Sequence, residues 1–208
     1  MNASRTEIGQ RKRARTRAAL IDAAMRVIAR TGPDNMTVDD IIAEAAVARG
    51  TFYNYFTTRE DVLLAVGIAI SERLLGRMDA QRSLADPADR VGRAVRSYIR
   101  MAAADSVAGW VIVRIALLAA PMGTSMREYL TADVTDGLAS GRFRVHSAQA
   151  ACDAILGLGM MGMRSVLRNE APSGHAEQIA EMVLRALGVP DAEEVANRPF
   201  DLPAIPAD

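Results

Sequence analysis

Helical spacing of apolar residues is the feature that most restricts what this chain can fold into. Leu20, Ile21, Ala24, Val27 and Ile28 recur at intervals that place them on one face of a helix. Similar spacing returns along most of the chain, whereas no stretch shows the sustained alternation of a strand, and aromatic residues make up only 4% of the sequence. The sequence therefore predicts an all-α protein of about nine helices.

Local signals place the ends of the first helices. The Thr-Gly-Pro at 31–33 stops the first helix, and the Thr-Val-Asp-Asp at 37–40 resembles a capping box, with Asp in place of Glu, for a short helix over 37–45. A very short helix is predicted over 49–55, and Thr58 caps a long one. Three short helices therefore precede a larger helical bundle.

The rest of the chain supplies five more helices. Asp86 followed by Pro87 is typical of a helix start. The five are predicted over 86–104, 107–119, 125–140, 149–168 and 176–187. Four of the eight prolines fall in the last 19 residues, so the sequence predicts an irregular, Pro-rich tail over 189–208.

Charge is spread unevenly along the chain although the net charge is zero. Residues 1–17 hold six basic side chains, among them Lys12, against the single acidic Glu7. A basic end on a neutral protein indicates an anionic partner for that end. The segment 11–17 is either an arm that binds DNA or the solvated start of a helix, and the sequence leaves both open.

Two short helices joined by a tight turn over 37–55 have the lengths of a helix-turn-helix. In that motif the second helix lies in the major groove of DNA while the first crosses the phosphate backbone. Arg49 can bond guanine, Thr51 can meet a base edge, and Gly50 allows close approach of the backbone. Thr37, at a helix N-terminus, suits a phosphate.

The remaining polar side chains of the short second helix suit contacts to the DNA backbone. Tyr53, Asn54 and Tyr55 can reach phosphates, although both tyrosines can equally serve in part as core residues. Phe52 and Phe56 lie one helical turn apart and are predicted to be core.

These segments resemble the tetracycline-repressor (TetR) family over about residues 15–65. The resemblance rests on the capping run at 37–45, on the Arg-Gly-Thr-Phe-Tyr-Asn-Tyr-Phe at 49–56 with its Tyr-x-Tyr-Phe pattern, and on the Arg-Glu-Asp-Val-Leu at 59–63. It implies a homodimeric transcriptional regulator, usually a repressor, that a small molecule releases from DNA. It also implies that Thr37 and the two tyrosines bind phosphates while residues 49–51 face bases.

The family's usual organisation implies three parts for this chain. Residues 1–58 would form a basic arm and a helix-turn-helix domain, residues 59–188 a domain for effector binding and dimerisation, and 189–208 a tail. The last two long helices, over 149–168 and 176–187, would pair with their copies to form the dimer. The partners are thus expected to be double-stranded DNA with a palindromic operator, a second copy and a small effector.

The turn departs from the family pattern at two positions. Ala46 stands where glycine is usual, and Ala48 stands where serine usually caps the recognition helix. An L-residue in a left-handed turn costs about 1–2 kcal/mol, and a missing cap costs roughly 0.5–2 kcal/mol. A left-handed Ala46 and an uncapped helix at 49 are therefore expected.

Other function classes find little support in the sequence. The two histidines, His146 and His175, lie in or near connections, and no phosphate loop, paired-cysteine motif or other metal-ligand pattern is present, so no enzyme activity, cofactor or metal is expected. With one cysteine, Cys152, no disulfide can form within the chain, which favours the cytoplasm. The longest apolar run, 107–120, is too short for a membrane span.

A G-x-G-x-x-G pattern over 157–162 resembles a dinucleotide-binding fingerprint. That fingerprint requires a strand before the glycines, and the residues before Gly157 are helical in pattern. We therefore interpret it as a small-residue face that lets another helix approach.

The effector is expected to bind after residue 80 and to be mainly hydrophobic, with anionic character possible. Arg114 lies within the most apolar predicted helix, where a buried charge would need either a protein carboxylate or an anionic ligand. Large adaptable side chains suit an apolar pocket or the core. The candidate ligand-binding residues are Tyr98, Met101, Trp110, Arg114, Met122, Met126 and Met160.

Two other functions compete with a DNA-binding regulator. One is a helical protein-binding adaptor that has lost specific DNA recognition. The other is a nonspecific nucleic-acid binder that works through residues 5–17 alone.

Overall fold

Ten helices and no strand make up the described part of the chain, which in this computed structural model comprises residues 5–77, 84–116 and 124–200. The expected all-α fold is confirmed. The helices are α1 (Arg5–Thr31), α2 (Val38–Ala45), α3 (Arg49–Tyr53), α4 (Arg59–Arg77), α5 (Pro87–Ala104), α6 (Ser106–Ala116), α7 (Thr124–Ala139), α8 (Ala148–Leu167), α9 (His175–Ala186) and α10 (Ala192–Asn197).

The chain divides into two compact units, residues 1–68 and 69–208, and α4 runs across the division. In the first unit α1 packs against α2, and α2 packs against α3. Its core is a set of fully or almost fully buried apolar side chains, which include Leu20, Val27, Ile28, Met36, Ile41, Phe52, Phe56, Val62 and Leu63. The helical spacing seen in the sequence thus marks the buried face of α1.

Short-range hydrogen bonds explain where the first helices begin and end. Gly32 ends α1 with a positive φ of 81°, a conformation that costs glycine little. The hydroxyl of Thr58 accepts the N–H of Asp61, and the Asp61 carboxylate accepts the N–H groups of Thr57 and Thr58 at 2.9 and 3.0 Å. The predicted N-terminal cap of α4 is therefore confirmed.

Helix α5 lies at the centre of the second unit and packs against α6, α7, α8, α9 and α10. Gly162 marks a close approach in this bundle, because a Cβ there would lie 2.8 Å from the Ile99 side chain and 3.1 Å from that of Ile179. One glycine of the G-x-G-x-x-G pattern therefore serves tight packing of α8 against α5 and α9, as expected.

The prediction of an irregular tail is wrong over 192–197, where the chain forms α10. Its side chains Ala192, Val195 and Ala196 are buried in the core of the second unit. Proline frequency misled the prediction because the prolines at 190 and 199 flank this short helix rather than interrupt it. Residues 201–208 lie outside the described part of the chain.

Helix α8 is the one described helix long and apolar enough, by length and composition, to cross a membrane. The same test is passed by core helices of water-soluble bundles, and α8 packs against α5, α6, α7 and α9. Only 22% of the most apolar stretch of α8 is buried within the chain. Much of the helix surface is therefore accessible for contact with another molecule.

Candidate nucleic-acid interface

The turn between α2 and α3 has the predicted left-handed residue. Ala46 has φ 51° and ψ 44°, and its N–H is directed at the carbonyls of Ala43 and Ile42 at the end of α2. Ala48 precedes α3 in an extended conformation and makes no side-chain hydrogen bond to it. Both expected departures from a relaxed turn are therefore confirmed, and the helix-turn-helix forms in spite of them.

Helix α3 is held to the first unit by an aromatic anchor. Phe52 is fully buried and Phe56 is 4% exposed, with ring centroids 5.9 Å apart, so both are core residues as predicted. The Tyr53 ring meets that of Phe52 edge-on at 5.3 Å but is itself 49% exposed. Because one face of α3 is anchored, its other face has a fixed orientation toward solvent.

The exposed face of α3 carries the residues expected to read DNA. Arg49, Gly50, Tyr53 and Asn54 are exposed, whereas Thr51 and Tyr55 are half-buried. A Cβ added at Gly50 would meet nothing within 4 Å, so no described protein atom requires glycine at this position. The geometry brings these residues together on or beside one short helix, as a major-groove reader needs.

A carboxylate on α2 engages the principal base-reading candidate. Arg49 Nη1 lies 3.1 Å from Asp39 Oδ1, and both side chains are mostly exposed, at 65% and 68%. Sequence reasoning missed this pair, although Asp39 in the first turn of α2 was visible. An exposed pair of this kind is worth about 0–1 kcal/mol, so DNA can compete for the guanidinium.

Thr37 is the N-cap of α2 and is already engaged by Asp40. Its hydroxyl donates to Asp40 Oδ2 at 2.6 Å and accepts the N–H of Asp40 at 3.1 Å, and its own N–H donates to the same carboxylate. These hydrogen bonds from the Thr37 side chain and backbone lower the pKa of Asp40. The predicted capping box is confirmed, while a phosphate at Thr37 would have to share the hydroxyl with a carboxylate.

The basic segment at the N-terminus is the beginning of α1 rather than a separate extension, because the helix runs unbroken from Arg5. Lys12 and the arginines at 11, 13, 15 and 17 are exposed on it. The segment is thus helical and solvent-exposed, and its basic side chains are accessible to DNA. Its contact with DNA stays a prediction.

Two of these arginines also hold the C-terminal end of α3. Arg13 Nη2 donates to the carbonyl of Asn54 at 3.3 Å, and its guanidinium carbon lies 5.5 Å from the centroid of the Tyr55 ring. The guanidinium carbon of Arg17 lies 5.2 Å from the Phe56 centroid. Sequence reasoning did not find this link, since nothing local connects residues 13 and 54.

Two ion pairs connect helices α1 and α2. Arg26 and Arg30 bind the two oxygens of Glu44 at 2.7 and 2.8 Å. Hydrogen bonds from these two arginines lower the pKa of Glu44. The pairs fix α2, and through the turn α3, against α1.

The residues expected to bind an effector are dispersed in the second unit. Met101 is buried in its core, and Tyr98, Trp110 and Met160 are partly buried against it. Burial raises the pKa of Tyr98, and a hydrogen bond with Ser71 partly offsets that rise. Met122 lies outside the described residues, as does the side chain of Met126.

The premise that Arg114 is a buried charge is wrong, because its side chain is exposed on α6. A run of apolar neighbours in the sequence does not show which way one residue on a helix points. Among the residues that the structure describes, the buried arginine is Arg96 on α5, at 1% exposure, which the sequence reasoning missed. In the described part of the chain, a surface cavity of about 380 Å³ lined by residues of α5, the α7–α8 connection and Pro190 contains none of the expected effector residues.

Comparisons with known proteins agree with this geometry. Residues 20–66 match the model of bacterial regulatory proteins of the tetR family, and residues 86–198 match the model of the tetracyclin repressor-like C-terminal domain. The HTH-type transcriptional regulator BetI of Rhizobium meliloti (strain 1021) is 33% identical over 102 residues, which cover 46% of this chain and 48% of that protein. The chain thus matches about half the length of this curated relative.

Solved structures of whole chains are also similar. The structure of RolR in complex with resorcinol is 27% identical, with a TM-score of 0.69, and the match covers 92% of this chain and 98% of that one. FadR from Bacillus subtilis in complex with stearoyl-CoA is 22% identical, with a TM-score of 0.60 and coverage of 82% and 96%, a likeness of fold. Since one family model matches the helix-turn-helix and the other alone matches more than half of the chain, the protein belongs to the TetR family of bacterial regulatory proteins.

Proposed function

We propose that this protein is a homodimeric transcriptional repressor that binds a palindromic operator through α3 and is released by a small, mainly hydrophobic effector. The observation that carries the proposal is the polar, exposed face of α3 on a buried aromatic anchor. A helix held in this way can enter the major groove without reorganising its own unit. Such a regulator acts on the chromosome, which places it in the cytoplasm.

The DNA contacts divide into base reading and backbone positioning. Arg49, Gly50 and Thr51, at the start of α3, would face base edges. Phosphates would be bound at Thr37 beside the N-terminus of α2, by Tyr53, Asn54 and Tyr55, and by Lys12 on the exposed start of α1. The six basic residues over 5–17 would add an electrostatic contribution to DNA affinity, and this contribution would weaken as salt concentration rises.

Dimerisation through α8 and α9 is supported by an apolar surface on these two helices. Leu156, Met161 and Met182 are exposed by 37%, 45% and 53%, and a Cβ at Gly157 or Gly159 would meet no other atom within 4 Å. Large apolar side chains beside small residues suit a close helix–helix contact with a second copy. Two recognition helices would then serve half-sites about one DNA turn, roughly 34 Å, apart.

A hydrophobic effector is supported by the composition of the second unit and by the structure of RolR, which was solved with resorcinol. Tyr98, Met101, Trp110 and Met160 offer apolar surface with one phenolic group. Met122, Met126 and Arg114 complete the proposed set. The effector would favour one separation of the recognition helices and DNA another, so the two ligands would oppose each other by linkage.

The test is selection of bound duplexes from a random DNA pool at about physiological salt. We expect a palindrome with half-sites about one helical turn apart. Arg49→Ala should lose the enrichment, whereas Arg144→Ala, an exposed arginine of the second unit, should keep it. Folded protein without enrichment would favour the adaptor, and binding without sequence preference that needs residues 5–17 would favour the nonspecific binder.

Dimerisation is tested separately by sedimentation of the full chain. Wild-type protein should sediment as a dimer, and Met161→Glu should sediment as a monomer because it places a charge on the proposed apolar contact. Glu170→Gln, a change at an exposed position after α8, is the control and should remain dimeric. A dimer that survives Met161→Glu would place the interface elsewhere.

A further inference from the structure

Three arginines on one face of α5 surround a single aromatic ring. Arg93, Arg96 and Arg100 recur at helical spacing, and their guanidinium carbons lie 5.5, 4.5 and 4.8 Å from the ring centroid of Phe200. We call this set the arginine face. It lies within the second unit.

Two of the three arginines have carboxylate partners. Arg93 binds both oxygens of Asp89, at 2.9 and 3.1 Å, and Arg100 Nη2 lies 2.6 Å from Glu177 Oε1. Charge on these two side chains is therefore balanced by the protein itself.

Arg96 has no such partner among the described residues. Its Nη1 donates to the carbonyl of Arg198 at 2.8 Å and its Nε to that of Gly92 at 3.3 Å. Its Nη2 is buried and has no hydrogen-bond acceptor within the described part of the chain. The side chain is 1% exposed, so it is shielded from bulk solvent. A buried donor without an acceptor costs free energy, and a buried charge without a counter-charge costs more.

The electrostatics of the face agree with an excess of positive charge. The pKa of Arg96 is lowered to about 10, mainly by burial and in part by the charges of Arg100 and Arg93, while the charges of Glu177 and Asp89 oppose the shift. The π face of Phe200 supplies some negative potential, but a ring attracts a guanidinium less strongly than an anion does. Phe200 itself is only half-buried, so displacing its ring costs less than displacing a fully buried side chain.

We propose that the arginine face binds a small oxyanion, a carboxylate or a phosphate, which displaces the Phe200 ring and accepts a hydrogen bond from Arg96 Nη2. The planar guanidinium recognises both groups by paired N–H donors, so the geometry selects oxyanions over spherical anions such as chloride. Displacement of the ring makes the segment after α10 responsive to the anion. This site is separate in chemistry from the proposed apolar effector site and does not depend on it.

The experiment follows Phe200 directly by fluorine NMR of protein labelled with fluorophenylalanine. The sequence has four phenylalanines, and Phe200→Leu identifies the signal of interest by its loss. Inorganic phosphate and acetate are titrated separately, with sodium chloride as the ionic-strength control. We expect a saturable shift of the Phe200 signal with one or both oxyanions, and none with chloride.

The signals of two other phenylalanines separate this site from the DNA-binding face. Phe52 and Phe56 report on α3, so phosphate bound there would shift their signals instead. Arg96→Met keeps the apolar stem but removes the guanidinium, and it should abolish the shift of Phe200. Arg185→Met, on α9 and ion-paired with Glu181, should leave the shift unchanged.

If Arg96→Met fails to fold, a second variant, Phe200→Ala, still tests the proposal. Phe200→Ala removes the competing ring and should raise phosphate or acetate affinity about tenfold by calorimetry. A response to phosphate alone would identify a phosphate as the bound group, and a response to acetate alone would identify a carboxylate. A Phe200 signal that stays fixed, that moves equally with chloride, or an unchanged affinity in Phe200→Ala would overturn the proposal.

Discussion

Arg49 in the first unit and Arg142 in the second serve opposite purposes. In the first unit Arg49 is mostly exposed and forms an ion pair, at 3.1 Å, with the similarly exposed Asp39. In the second unit Arg142 has a side chain only 21% exposed and donates to both oxygens of Asp86 and both oxygens of Asp191. The number of partners and the degree of exposure decide whether a guanidinium is available to an outside anion or holds the fold together.

The ion pairs of Arg49 and Arg142 are also expected to contribute differently to the free energy of unfolding. A single exposed pair is worth about 0–1 kcal/mol because water and salt screen it and the side chains lose entropy. Charge-assisted bidentate hydrogen bonds in a partly buried site are stronger. Arg142 joins the start of α5 to the residue before α10, so it connects segments about a hundred residues apart in the chain.

Arg142→Ala should have the largest effect on stability. We expect the free energy of unfolding to fall by about 2–3 kcal/mol, because two partly buried aspartates lose their nearer arginine and keep the more distant Arg198, at 3.4 and 3.8 Å. The measurement is denaturant unfolding followed by circular dichroism. Arg144→Ala, which removes an exposed arginine two residues later, is the control and should change stability by less than about 0.5 kcal/mol. Equal effects in the two variants would show that the four hydrogen bonds of Arg142 add no stability beyond that of an exposed arginine.

Acid should remove most of the stability that Arg142 supplies. Burial raises the pKa of Asp86, but hydrogen bonds from Arg142 and the Ala88 N–H outweigh it, and the Arg142 hydrogen bonds likewise lower the pKa of Asp191. A lowered folded-state pKa stabilises above the unfolded value of about 3.9, and this contribution is lost as pH falls through the folded value. The free energies of unfolding of wild type and Arg142→Ala should therefore differ from pH 7 down to about pH 4. The difference should shrink only as pH falls further, through the lowered folded-state pKa values of Asp86 and Asp191. A difference that persists at low pH would mean that Arg142 acts through packing alone.

How far the sequence predicts each unit depends on how local the interactions are. The capping box of Thr37, the left-handed Ala46 and the buried Phe52 follow from signals within a few residues, so the helix-turn-helix could be predicted almost completely. Its positions that read DNA remain predictions, because exposure shows what is accessible and not what is bound.

The second unit was predicted less well because its distinctive contacts join distant residues. Arg96 occurs in a segment of mixed polarity, and it is buried because the chain around Arg198 and Phe200 covers it. Arg114 occurs in an apolar segment and is nevertheless exposed. Local composition therefore indicated the wrong arginine, and only the path of the last described residues shows which one is enclosed.

Arg49→Ala should separate binding from stability. We expect operator affinity to fall about ten- to a hundredfold, the range for loss of a bidentate base contact of roughly 1–3 kcal/mol. Stability should change by less than about 1 kcal/mol, because the pair with Asp39 is exposed. Affinity is measured by fluorescence anisotropy on the selected operator, and stability by denaturation. A large loss of stability would show that Arg49 is structural, like Arg142.

Ala46→Gly should stabilise the first unit by about 1 kcal/mol, because glycine adopts the observed positive φ without the penalty of a Cβ. Ala43→Gly is the matched control, an exposed position within α2 where glycine should destabilise by roughly 0.5–1 kcal/mol. The two variants are compared by thermal unfolding. A lower melting temperature in Ala46→Gly would show that the left-handed turn is not strained.

Asp39→Asn should give the smallest effect and the sharpest test of whether Arg49 is available to DNA. The change removes the carboxylate that holds the guanidinium, and we expect operator affinity to rise about two- to fivefold at low salt, since DNA no longer competes with a pair worth under about 1 kcal/mol. The gain should shrink as salt rises, because screening already weakens the exposed pair. Glu60→Gln removes the same charge from the same unit, but its partner is Arg59 on α4, so it controls for net charge. If both variants gain equally, the effect is general electrostatics; if Asp39→Asn loses affinity, the carboxylate positions Arg49 for base reading rather than competing with DNA.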